Sequence, residues 1–280
     1  MASWIKKIFK NRSDKPYQPA ELSAVDYCYL GQQKLKDYKF EEAIEAFNNC
    51  LKIDEANAEA YLARGQAMAE LGEAGDALAD YTKALACNPK MTQVYYARGM
   101  AYSDLGNYQA AIKDFTMMLE QNPDDLEAYH RRGHAKFLSG DTTGAIQDYD
   151  EALERNTGDD YSFMIISGIY EDRGQARLVM GNHASALEDF NEAIKLMPDN
   201  IDAYLKRAQI KMEWKDYEGA VHDADQVIKS SPNNASAYYC RGACYLALGH
   251  KKRALSDLTN AVKIDSTLTP QAEPLIAQCE

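Results

Sequence analysis

His130 and His134 stand four residues apart, the spacing that stacks two imidazoles on one helical face and suits a divalent metal. Between them lie Arg131, Arg132 and Gly133, so the glutamate of a metal-hydrolase motif is missing and two cations crowd the pair. Cys240 and Cys244 share the spacing, but Cys244 falls beside an apolar seam, where a thiol reads as packing. With Cys28, Cys50, Cys87 and Cys279 the cysteines form no CxxC pair, which is the usage of reduced thiols. Neither a glycine-rich phosphate loop nor a nucleophile elbow is present. A metal-binding protein or an enzyme accessory subunit therefore stands as a remote alternative. No catalytic residue, metal ligand or cofactor is assigned.

The elements that would position any such group recur along the chain. Glycines fall at Gly31, Gly65, Gly99 and Gly133, each step being 34 residues, and the series resumes at Gly174 and Gly242 with Ala208 midway. A second series, Gly72, Gly106, Gly140, Gly181 and Gly249, runs beside it, and Pro89, Pro123, Pro198 and Pro232 mark one repeated boundary. With the first glycine set at position 8, position 4 is Tyr in repeats two to seven (Tyr61, Tyr95, Tyr129, Tyr170, Tyr204, Tyr238). Position 20 is always Ala, from Ala43 to Ala254, and position 24 is mostly aromatic. Steps of three and four residues make amphipathic helices. Positions 4, 8 and 11 form the seam of a first helix, and 20, 24 and 27 that of a second. Glycine at 15 ends the first helix and proline at 32 stops the second. Such a hairpin cannot bury its face alone and must stack on its neighbours.

One charge pattern follows the same frame. Arg holds position 7 in repeats two to seven (Arg64, Arg98, Arg132, Arg173, Arg207, Arg241), and Asp holds position 23 in the same repeats (Asp80, Asp114, Asp148, Asp189, Asp223, Asp257). Repeat one has Leu30 and Ala46 in their places. Presence and absence together read as a ladder of partly exposed structural pairs, each worth about 0–1 kcal/mol.

The segment from Tyr95 to Pro123, YYARGMAYSDLGNYQAAIKDFTMMLEQNP, closely resembles the tetratricopeptide repeat (TPR) family in length, small-residue and aromatic positions. The resemblance implies an all-α fold, a right-handed superhelical solenoid of seven helix-turn-helix TPR repeats. Repeats one to four fill 24–159 and repeats five to seven fill 167–268. Between them, 160–166 is an insertion extending the first helix of repeat five, since seven residues make about two turns. Residues 1–23 form a basic amphipathic segment, and 269–280 a short C-terminal cap.

In such an array the first helices line a concave groove, and positions 2, 5, 6, 9, 12 and 13 face it. The candidate partner-binding residues are Glu59, Leu62, Gln66, Gln93, Tyr96, Met100, Glu127, His130, Arg131, His134, Glu171, Asp172, Gln175, Lys206, Gln209 and Tyr239. The basic carboxylate clamp of one TPR subfamily is not reproduced, as no repeat has Lys at position 5. Two further docking candidates depart from the repeat: Trp4, Ile8 and Phe9 beside Lys6, Lys7 and Lys10, and Tyr161 with Phe163 in the insertion. The insertion's apolar side chains either pack on repeat four or form a docking patch. In repeat six Ala208 replaces Gly, Trp214-Lys215 replaces Leu-Gly, and Ala224 with Val227 reverses the large-small order, which reads as core repacking.

Net charge is -12, a sign that repels phosphate backbones and argues against nucleic acid. Residues 1–23 carry five basic and two acidic side chains, +3, which leaves -15 on the rest. No apolar leader and no run of 18 apolar residues appears, which reads as a cytoplasmic protein. A weak membrane-surface contact through residues 1–12 stays open, as does docking of that segment on its own repeats. The expected function is a non-enzymatic scaffold or adaptor holding a protein or peptide partner in the groove. A self-assembling, membrane-associated homo-oligomer is the alternative.

Overall fold

The computed structural model describes residues 22–156 and 163–280, and these are helical without strands. Helices pair consecutively: α1 (Ala24–Lys36) with α2 (Phe40–Ile53), α3 (Ala58–Glu70) with α4 (Ala74–Cys87), and α5 (Thr92–Asp104) with α6 (Tyr108–Gln121). Then follow α7 (Leu126–Leu138) with α8 (Thr142–Glu154), α9 (Phe163–Val179) with α10 (His183–Leu196), α11 (Ile201–Glu213) with α12 (Tyr217–Ser230), and α13 (Ala235–Ala247) with α14 (Lys251–Ile264). A 3-10 turn, Ser266–Leu268, leads into α15 (Thr269–Ala277), which packs on α14. The residues form two compact units, one ending at Val94 and the other beginning at Tyr95.

Local chemistry sets the helix ends. Asn57, Asp125, Asn200 and Asn234 accept from the backbone N–H groups of Ala60, Ala128, Ala203 and Ala237 at 2.9–3.0 Å. Each satisfies an orphan donor in the first turn, so the last residue of these four repeats is a cap for the next helix rather than filler. Within each pair the turn needs a left-handed residue, and Gly72, Gly106, Gly140, Gly181 and Gly249 supply it. Repeats one and six place Tyr38 (φ 56°) and Lys215 (φ 64°) there instead.

The seams are packed as the small-residue pattern requires. The position-20 alanines Ala43, Ala77, Ala111, Ala145, Ala186, Ala220 and Ala254 are all at 0% exposure. In the second unit a Cβ built on Gly133 would lie 2.7 Å from Cε1 of Tyr149, so only glycine lets that ring lie on the first helix. Where repeat six carries Ala208, the facing position carries Ala224, and both lie in one core cluster. Small against small there takes the place of glycine against ring.

In the first unit Cys28 of α1 and Cys50 of α2 are joined by a disulfide. This corrects the reading of all six cysteines as reduced thiols: Cys50 holds seam position 27 and Cys28 lies one residue past seam position 4, where adjacent helices bring Cβ atoms within bonding reach. The bond links the two helices of the repeat that lacks the Arg–Asp pair. Cys240 and Cys244 are buried and unlinked, with Cys240 Sγ 3.4 Å from Sδ of Met212.

Candidate interaction surface

The ladder of charges is present in all six repeats that encode it. Arg64, Arg98, Arg132, Arg207 and Arg241 each donate from Nε and Nη2 to the two oxygens of Asp80, Asp114, Asp148, Asp223 and Asp257, at 2.6–2.9 Å. Arg173 holds Asp189 likewise, with Nη2 at 2.6 Å from Oδ1. The carboxylates are buried, which corrects the expectation of partly exposed pairs. A third nitrogen reaches position 25 of the preceding repeat: Asn191 from Arg207 at 2.7 Å, and Asp150 and Asp225 from Arg173 and Arg241 at 2.6 Å. Each arginine also lies over the tyrosine three residues earlier, 5.3–5.9 Å from the ring centroid. Lys136, Arg177 and Lys211 add a second cation to Asp148, Asp189 and Asp223. These charges tie repeats together and are spent on structure. Polar residues at position 25 were the part that sequence reasoning missed, because Asn, Thr and Asp alternate there without one residue type to mark the place.

With these arginines accounted for, the faces of the first helices carry the remaining polar chemistry. In the first unit Glu59, Leu62, Gln66 and Gln93 come together on a hollow of about 730 Å³. Gln32, Leu35, Asn57, Asn88 and Met91 complete its wall. Gln32 sits at position 9 of repeat one and obeys the frame used for the others. Asn57, Asn88 and Met91 come from inter-repeat loops, where no helical period could point to them.

In the second unit the candidates pair across successive first helices. The Tyr96 hydroxyl donates to Glu127 Oε1 at 3.2 Å, and Arg131 Nε donates to the same oxygen at 2.7 Å. Burial pushes the Tyr96 phenol up, with Arg131 opposing and Glu127 assisting. His130 Nε2 lies 2.8 Å from Asp172 Oδ2, so α7 meets α9 directly. Asn200 donates to Glu171 Oε2 at 2.8 Å. Burial raises the Glu171 carboxyl above the usual range, Asn200 opposes this, and Asp202 and Asp172 add to it. Gln175 Oε1 and the Tyr149 hydroxyl are buried atoms without a hydrogen-bond partner among the described residues. Met100, His134 and Lys206 are half-buried and Gln209 is exposed on the same faces. Tyr239 is placed differently, packed against the core cluster around Leu258. The first helix of the last repeat is closed over there by aromatic and aliphatic side chains.

Trp4, Ile8, Phe9 and Tyr161 lie outside the described residues. Phe163 opens α9 and is exposed with Met164, whereas Ile166 is buried. Among the described residues no group of three His, Cys, Asp or Glu is arranged to hold a metal ion, and no helix is long and apolar enough to cross a membrane.

Among solved structures, a tetratricopeptide repeat protein from Parabacteroides merdae is 23% identical, with 91% of this chain and 98% of that one aligned and a TM-score of 0.64. The C-terminal part of a TPR repeat-containing protein from Cytophaga hutchinsonii is 19% identical, covers 89% and 99%, and has a TM-score of 0.69. A structure of the APC/C hetero-tetramer Cut9–Hcn1 aligns at 20% identity over 79% of this chain and 42% of that one, with a TM-score of 0.62. At these identities the likeness is one of fold. No curated protein matches the sequence. Family models described as tetratricopeptide repeat match residues 92–125, 126–159, 201–234 and 224–256, and one described as TPR repeat matches 39–72. Frame, seams and matched segments agree along both units, and the chain belongs to the tetratricopeptide repeat family.

Proposed function

We propose that the chain is a protein-interaction scaffold whose first-helix faces hold an extended segment or helix of a partner protein. The hollow bounded by Glu59, Leu62, Gln66 and Gln93 carries this reading, because four side chains chosen by frame alone wall one space. Its lining is rich in amides, and each amide offers both a donor and an acceptor. That is what a peptide backbone needs when it lies in a groove without a strand to pair with. Arg131 and Glu127 neutralise one another, which leaves Glu171 and Asp172 as the acidic groups on the faces of the second unit, and these favour a partner with basic side chains. The titratable groups of these faces serve hydrogen bonding and charge, which suits a binding surface.

Affinity capture with the full chain tests this, compared with a Leu62→Asp/Gln66→Lys variant of unchanged helicity. A protein captured in stoichiometric amount by the parent and lost by the variant is the expected result. Identical capture by both would sink the groove reading.

A further inference from the structure

An apolar stripe at the head of the first unit has no cover among the described residues. Val25 and Tyr29, four residues apart, lie on one side of α1, and Leu22 stands just before its N-cap Ser23; the three are 76%, 58% and 45% exposed. Beside them a hollow of about 260 Å³ opens between Val25, Cys28 and Tyr29 on one side and Asn57, Glu59 and Ala60 on the other. Glu59 borders this hollow and the larger one, so a cation arriving with an apolar side chain finds a carboxylate at hand.

We propose that residues 1–21 of the same chain cover this stripe and act as a tethered occupant of the first unit's face. Three observations select this occupant. First, its pattern is complementary: Trp4, Ile5, Ile8 and Phe9 alternate with Lys6, Lys7 and Lys10 at helical spacing. Second, its charge is complementary. Residues 1–21 hold five basic and two acidic side chains, +3, while 22–94 hold seven basic and twelve acidic, -5. Third, the tether has the right length and stiffness. The twelve residues from Lys10 to Glu21 can span up to about 40 Å, twice the roughly 20 Å length of α1, so the segment can double back along that helix. Pro16 and Pro19 prevent one helix from running straight through into α1. A patch this small would bind a free peptide weakly. A short tether supplies an effective concentration on the order of millimolar, which is enough to fill it. A partner for the first unit's face must then displace the chain's own segment. The proposal concerns the same face as the partner reading, but its test contains no partner, so either can fail alone.

The chain has two tryptophans, and Trp214 is an exposed helix-capping residue of the second unit, so Trp214→Phe leaves Trp4 as the sole indole. In that full-length variant Trp4 emission is expected to be blue-shifted and shielded from acrylamide, unchanged over a roughly hundredfold dilution. Adding Val25→Asp with Tyr29→Asp is expected to red-shift it and raise quenching roughly threefold at constant helicity, with Tyr29→Ser alone giving a smaller change of the same sign. Water-exposed emission before any groove substitution overturns the proposal. So does a blue shift that survives both groove variants, one that fades on dilution (a second copy is the occupant), or one that appears only with phosphatidylserine-containing vesicles (a membrane is).

Discussion

Arg173 donates from Nη1 to Asp150 at 2.6 Å across a sequence separation of 23, whereas the same bond between Arg207 and Asn191 or Arg241 and Asp225 spans 16. The difference, 23 − 16 = 7, equals the length of the insertion, so the extra residues leave the inter-repeat bond in register. α9 takes up part of them, running 17 residues against 13 in α7 and α11. Arg173 thereby joins a half-buried acid in one repeat to a fully buried one, Asp189, in the next. Their removal should differ in cost. Asp189→Ala strands Arg173 and Arg177 beside a buried space and is expected to cost about 3–5 kcal/mol. Asp150→Ala loses a pair whose acid is 43% exposed, and should cost under about 1 kcal/mol. Urea unfolding of both variants measures the contrast, and equal losses would show that the ladder is not organised around the buried partner.

Glu171 should make the second unit's stability depend on pH in a definite direction. Burial, with Asp202 and Asp172 nearby, holds its folded carboxyl above the unfolded value, against the hydrogen bond from Asn200. A carboxyl with a raised folded pKa binds its proton more tightly in the native state. The penalty is therefore absent below the unfolded pKa and develops as pH rises through the folded one. Glu171→Gln keeps an acceptor for Asn200 and removes the charge. It is expected to raise Tm at neutral pH, with the gain shrinking as pH falls into the carboxylate range. A gain that grows towards acid pH would reverse the assignment.

Much of this fold was legible because it is written seven times. Ala at position 20, the ring at 24 and glycine at 8 report one helix crossing, and a feature repeated in frame separates itself from accident. The Arg–Asp pairing could be read the same way, since Leu30 and Ala46 lose both members together. What stayed hidden was whatever breaks the period or lies outside it. Asn88 and Met91 reach the hollow from a loop, and the Cys28–Cys50 bond occurs once. Tyr239 obeys the groove frame, yet the last repeat packs it against Leu258, because a terminal repeat has α15 rather than another hairpin to cover its core. Position alone places a residue on a face. It does not say which of its neighbours will cover it.

Repeat six offers a stability gain at its turn. Lys215 adopts φ 64° where five other repeats have glycine. A side chain there costs roughly 1–2 kcal/mol, while glycine loses about 0.5–1 kcal/mol more chain entropy on folding. Lys215→Gly should therefore stabilise by up to about 1 kcal/mol. Tyr38→Gly should act in the same direction in the first unit, where the turn has φ 56°. Thermal melts of the two single variants check this, and a fall in Tm for both would mean that the side chains contribute contacts outweighing the backbone strain.

The crossing of α7 and α8 gives the sharpest pair of opposite expectations. Gly133 touches the Tyr149 ring so closely that an added Cβ would sit 2.7 Å from Cε1, while the ring itself is at 0% exposure. Gly133→Ala must displace a ring boxed in by His130 on one side, at 6.0 Å between ring centroids, and should cost about 1–3 kcal/mol. The hydroxyl of the same ring is a buried group without a hydrogen-bond partner among the described residues, and such a group carries a desolvation penalty of about 1–3 kcal/mol. Phe47, Phe115 and Phe190 fill the equivalent place in other repeats, so the bare ring fits this crossing. Tyr149→Phe is therefore expected to be neutral or stabilising, in contrast to the glycine substitution one contact away. Chemical denaturation of both variants gives the comparison. A loss of more than about 1 kcal/mol for Tyr149→Phe would mean that the hydroxyl is satisfied in solution, with water between it and the His130–Asp172 pair as the natural bridge.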